Sequence, residues 1–235
     1  MLPRALLPLL LLLVAIGSSA DVARVSYLVG SVQMKRDGKS MPVRVSMACQ
    51  TGDTLVSSKA SRVELRYPDN TLLRLDENSK LVLTTKSTGK PEPTLLGGKT
   101  WANVKRIAQG GTGFGVRTPT AVAAVRGTVF RVDGADSSTS VRLYEGKVDA
   151  ASTKSDSLPG ARGDKTGPKE ISLEDWVHLL RGEEVSFKRD GTWSRSKFDI
   201  ELDLKDAWVR FNADRDSIAG RPWANQTDSD NPWAN

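Results

Sequence analysis

Acid–base chemistry needs two carboxyl groups in unlike environments, so adjacent acidic residues are the first place to look. Asp76-Glu77 and Glu183-Glu184 supply the residue types for an acid and a base. Nothing in their sequence surroundings sets one member of either pair apart from the other. His178 is the single histidine and Cys49 the single cysteine. One histidine cannot build a His-clustered metal centre, and no second Cys or nearby His supports Cys49 as a nucleophile. Cys49 closes the run Val45-Ser46-Met47-Ala48-Cys49, where a small buried hydrophobe is expected. His178 sits among Trp176, Val177, Leu179 and Leu180, in a structural or surface position. Gly110-Gly111-Thr112-Gly113-Phe114-Gly115 is rich in glycine but has neither the lysine nor the following helix of a phosphate loop, and reads as a loop. Asp53 and Asp69 stand beside turn residues, where aspartate bonds local backbone. The expectation is a protein without catalytic residues, metal or cofactor.

Binding chemistry has more material. Of the six tryptophans, Trp176, Trp193, Trp208, Trp223 and Trp233 fall in the last third of the chain. Trp176 and Trp208 suit a core. Trp223 and Trp233 lie in a repeated Pro-Trp-Ala-Asn, at 222–225 and 232–235, amid Gly, Pro and polar residues. That setting marks both as candidate docking residues. The net charge of +6 favours acidic partners, but acidic residues alternate with the basic ones and no Lys/Arg run marks a nucleic-acid tail. No nucleic-acid partner is expected.

The elements that must position these residues are mostly strands. Val25, Tyr27 and Val29 alternate with Ser26 and Leu28, and the apolar frame moves by one after Gly30, which suggests a β-bulge. Val63, Leu65 and Tyr67 alternate with Arg62, Glu64 and Arg66, placing the charges outward. Pro68-Asp69-Asn70 then supplies a turn before Thr71, Leu73 and Leu75. Leu81 and Leu83, Phe114 to Thr118, Thr128 to Val132, Val141 to Leu143 and Lys147 to Asp149 continue the strands. Many short, glycine-started strands argue for an all-β sandwich, barrel or solenoid.

Outside that region the pattern changes. Residues 1–20 carry Arg4, a Leu-rich run from Ala5 to Ile16 and small residues up to Ala20, the layout of a cleaved signal peptide. No stable membrane insertion is expected after cleavage, since no other segment could span a bilayer. Residues 151–169 read as a polar linker. Residues 170–220 read as a small β/helical extension, with Ile171 and Leu173, then Trp176 to Leu180, then a strand at Val185 and Phe187. A helix runs from Phe198 to Ile218, with Leu204, Trp208, Phe211 and Ile218 on its apolar face. Residues 221–235 read as a disordered tail.

Six stretches in order between Val25 and Ala150 resemble the FecR domain, the periplasmic module of bacterial iron-signalling regulators and of stand-alone exported proteins. They are Val29-Gly30-Ser31-Val32; Gly52-Asp53-Thr54-Leu55; Ser61 to Leu65 followed by Asp69 to Leu75; Thr118-Pro119; Arg126-Gly127-Thr128-Val129-Phe130; and Glu145-Gly146-Lys147-Val148. The resemblance implies an all-β fold, a β-solenoid or two-layer sandwich of short strands, and a periplasmic or secreted location. It brings no catalytic residue. Gly127 and Gly146 are expected at corners, Pro119 at a strand end and Phe130 in the core. The regulators also carry a cytoplasmic segment that binds a sigma factor, and the apolar run here has none before it. The functional expectation is a protein-binding or sensing module of the cell envelope. The alternative is an adhesin-like binder of cell-wall or surface glycan, and an enzyme ranks third.

Overall fold

The computed structural model describes residues 21–106, 113–154 and 176–223. The expected signal segment, most of the expected linker and Trp233 lie outside the described residues.

Among the described residues, seventeen strands pair into one continuous arrangement, folded into two layers. The first layer runs, in spatial order, β4 (Ala48–Gln50), β1 (Asp21–Val29), β6 (Arg62–Arg66), β7 (Leu72–Leu75), the second half of β9 (Thr94–Asn103), β12 (Val129–Gly134), β13 (Ser138–Glu145), β16 (Glu183–Lys188) and β17 (Trp193–Lys197). Every pairing in it is antiparallel. The second layer runs β3 (Lys39–Pro42), β2 (Val32–Arg36), β5 (Thr54–Ser57), β8 (Lys80–Val82), the first half of β9, β10 (Phe114–Arg117), β11 (Ala121–Val125), β14 (Val148–Ser152) and β15 (Val177–Leu179). Its one parallel contact joins β9 to β10 at Thr94 and Arg117. The all-β expectation holds.

Sequence alternation explains the packing. Val63 and Leu65 of β6 and Leu73 and Leu75 of β7 face inward. They meet Met34, Leu55 and Leu81 of the second layer in one buried cluster. Each such side chain contributes about 1.5–3 kcal/mol when fully buried. Phe130 is fully buried there, as expected. Cys49 is buried in the same cluster, and burial pushes its thiol up to about 12.

The chain repeatedly leaves one layer for the other. Left-handed residues sit at the crossings: Gly30, Ser46, Gly52, Ala60, Asn78, Gly127, Gly146 and Gly182, with Gly98 inside β9 itself. At Gly98, with φ 94°, a Cβ would lie 2.0 Å from Ser79 Oγ. Only glycine lets β9 bend there and serve both layers. The frame shift at Gly30 is therefore a crossing between layers and not a bulge. The irregular register of β1 comes earlier, between Val25 and Tyr27.

The expected boundaries move slightly. Strand β1 begins at Asp21, and Ala151 and Ser152, expected in the linker, finish β14. The glycine-dense stretch is a loop only in part, because Phe114 and Gly115 open β10. The helical stretch is two helices, α1 (Ile200–Asp203) and α2 (Ala207–Ile218). Asp199 and Asp206 cap them, each accepting two backbone N–H bonds. Ile218 is not on the covered face; it is 76% exposed.

Candidate functional site

The carboxylate pairs are committed to the fold. Asp76 accepts from Arg62 Nε at 2.9 Å, and Glu77 accepts from the Ala60 amide. Glu183 accepts from Arg195 and from the Leu180 amide, while Glu184 accepts from Arg142 Nε at 2.9 Å and from Ser140. Asp53 is buried and grips the Arg36 guanidinium with both oxygens, at 2.7 and 2.6 Å, while taking the Gln50 amide. Asp69 accepts from the Thr71 amide and hydroxyl at 2.8 and 2.9 Å, and Asn70 beside it adopts φ 66°. These are the turn roles expected of them. His178 lies on the surface with Nδ1 2.6 Å from Asp149 Oδ1. No group of three or more His, Cys, Asp or Glu that could hold a metal occurs among the described residues.

The signature residues of the central module lock two corners together. Gly127 (φ 67°) and Gly146 (φ 86°) turn the chain between layers at adjacent positions. A Cβ on Gly146 would come 2.5 Å from the Gly127 carbonyl oxygen. Thr128 Oγ1 donates to the Lys147 carbonyl at 2.9 Å, and the Thr128 and Val104 backbones exchange hydrogen bonds. Thr118 closes the β10–β11 turn around Pro119: its hydroxyl accepts from the Ala121 amide at 2.9 Å and meets Thr139 Oγ1 at 2.6 Å. Glu145 is half-buried, and burial together with the Asp216 charge raises its carboxyl above the ordinary range. Arg126 is an exposed side chain. It lines a cleft of about 460 Å³ on the second layer with Lys86, Lys90 and Lys147.

The outer face of the first layer is covered, which the sequence concealed. Glu64 and Arg74 are cross-strand partners on β6 and β7, and both are buried under α2. Arg74 Nε donates to Glu64 Oε2 at 2.7 Å, and Arg74 Nη1 lies 2.7 Å from Asp216 Oδ1. Ser26 donates to Glu64 Oε1 at 2.6 Å. Burial would raise Glu64, but Arg74, Ser26 and Arg215 outweigh it and hold the carboxyl below its usual value. Burial prevails at Asp216, whose carboxyl is raised despite Arg74 and Trp101.

Trp223 is part of this cover. It was expected as an exposed docking residue, and it is 1% exposed. Its ring packs 5.3 Å from Trp101 and 4.9 Å from Tyr144, and its Nε1 donates to Asp216 Oδ2 at 3.1 Å. Pro and Gly around it let the chain turn back after α2 and insert the indole. Residues 221–223, expected in the tail, thus belong to the fold, and Arg221 donates to the Asn70 and Asn103 carbonyls. Trp208 is buried as expected.

Among the described residues the exposed tryptophan is Trp193, at 53%. It starts β17, whose five residues are all exposed and which pairs only with β16 among the described residues. Lys188 N donates to the Thr192 carbonyl and Phe198 N to the Gly182 carbonyl. By the alternation of an antiparallel ladder, Ser194 and Ser196 bond toward β16, and Trp193, Arg195 and Lys197 turn their backbone groups to the open edge.

A family model described as FecR protein matches residues 53–149. No curated protein matches the chain. Two crystal structures of a candidate anti-sigma factor from Parabacteroides distasonis are similar in fold, at 21% and 19% identity with TM-scores of 0.49 and 0.48. Each comparison covers 66% of this chain and 64% of the other. The matched span includes both locked corners and the bent strand β9, so it is over residues 53–149 that this chain is similar to the FecR family.

Proposed function

We propose that the protein is an exported, non-catalytic module of the bacterial cell envelope that binds a partner protein by strand addition along β17. One observation carries this reading: β17 is a fully exposed edge strand whose backbone groups at Trp193, Arg195 and Lys197 have no strand partner among the described residues, with an exposed indole at its start. Open edges of this kind recruit extended segments, with main-chain hydrogen bonds giving affinity. Lys197 favours acidic residues on the incoming strand. Export is supported by the apolar run in residues 1–20.

The test is site-specific photocrosslinking in living cells, with the photoreactive residue at 193 and a control at exposed Val45. The captured partner is purified and its binding measured with and without Lys197→Pro, which removes an edge-facing N–H while sparing the β16 ladder. A position-193 product whose binding falls at least tenfold in the proline variant supports the reading. Equal products from positions 193 and 45, or binding indifferent to the proline, defeats it.

A further inference from the structure

The cleft on the second layer gathers four cations from three segments. Lys86 and Lys90 come from the connection between β8 and β9, Arg126 from the corner before β12, and Lys147 from the corner before β14. Among the described residues the one acid lining it is Asp149, which is engaged by His178 at 2.6 Å. Beside it Glu92 is buried and shared by Lys86 and Arg117, at 2.6 and 3.0 Å. Positive charge therefore exceeds negative at the mouth.

The corners fix where two of these cations sit. Arg126 precedes Gly127 and Lys147 follows Gly146, and those glycines are in contact distance of one another. The Thr128 hydroxyl holds the Lys147 carbonyl. The backbone under both cations is thus set by the fold before any ligand arrives, which lowers the ordering cost of binding. Gly113 and Gly115 leave the wall of the cleft without side chains. None of the exposed large hydrophobic residues lines it. The volume exceeds that of one oxyanion and matches a small ligand site.

We propose that this cleft binds a small organic anion through its phosphate or carboxylate, with Arg126, Lys90 and Lys86 as the ligating cations. The site is independent of the β17 edge.

Isothermal titration of the whole chain with glucose 6-phosphate, glucuronate and neutral glucose tests it, at about 20 mM and about 300 mM salt. Saturable binding of at least one anionic sugar, none of glucose, and weakening in high salt are expected. Preference between the two anions identifies the oxyanion source. Arg126→Ala and Lys90→Ala should each weaken binding about tenfold, the worth of one charge-assisted hydrogen bond. Lys39→Ala, on β3 outside the cleft, should change nothing. Thermal melts equal to wild type exclude misfolding, since Arg126 and Lys90 are surface side chains. Absence of saturable binding by both anions, equal binding of glucose, or affinity unchanged in Arg126→Ala and Lys90→Ala overturns the proposal.

Discussion

Replacing Trp223 with alanine tests whether the segment after α2 is part of the folded protein. The indole is fully buried against Trp101 and Tyr144 and donates to Asp216. Removing a buried tryptophan costs about 3–5 kcal/mol, covering lost transfer energy and the cavity left behind. Asp216 keeps the Trp101 indole and Arg74, so the lost hydrogen bond adds little beyond that range. In a chain of this size each kcal/mol lowers Tm by about 2–4 °C, which predicts a fall of about 6–20 °C. Near-UV circular dichroism should report the change first, because Trp101 and Tyr144 lose a ring neighbour. Trp193→Ala is the matched control: its ring is exposed and its loss should stay within about 0.5 kcal/mol. A Trp223→Ala variant within about 1 kcal/mol of wild type, with an unaltered aromatic spectrum, would refute the packed position of Trp223.

Other perturbations follow from the same geometry. Gly146→Ala should cost at least about 2 kcal/mol in chemical denaturation, from a left-handed φ and a Cβ driven against the Gly127 carbonyl. Cys49 should resist a thiol reagent at pH 8 in native protein and react fully once unfolded, because burial raises the thiol to about 12. The Glu64 carboxyl titrates lower in the folded than in the unfolded chain. Its stabilisation is complete above the unfolded value of about 4.3 and is lost as pH falls through the folded one. Glu64→Gln should therefore destabilise most near neutral pH, with the gap to wild type narrowing in melts taken at progressively lower pH. Asp216 has the opposite sign, since a raised carboxyl favours folding on protonation, and it partly offsets the acid response of Glu64.

The strands legible in the sequence were those whose apolar and polar residues alternate. Strand β6 alternates cleanly, and its turn at Asp69-Asn70 formed as its chemistry required. Strand β9, the longest of the fold, was passed over because Gly97-Gly98 breaks its alternation at the bend between layers. Strand β17 left no trace, since all five residues are exposed and no apolar face marks the period. The helical cover was misread for a related reason. The face that α2 buries holds Trp208, Val209, Asn212 and Asp216, and half of it is polar. That face is complementary to Arg74 and Glu64 on the sheet beneath, so charges written outward by alternation became interior once the helix landed. Trp223 followed: local composition suggested exposure, and only tertiary contact with Trp101 could supply its burial.

The signature residues invite a sharper physical reading. Gly127, Gly146 and Thr128 specify backbone, and backbone geometry at a corner dictates where the adjacent side chains emerge. Arg126 and Lys147 are those adjacent residues. A corner that tolerates only glycine at two touching positions therefore fixes two cations at one cleft mouth. Fold and site are coupled through the glycines. A small change at Gly146 should disturb the cleft as well as the core, whereas Arg126→Ala should empty the cleft of one charge and leave the corner standing. That asymmetry, visible by comparing anion titrations with melts of the two variants, separates a motif that only builds the fold from one whose fold places a binding group.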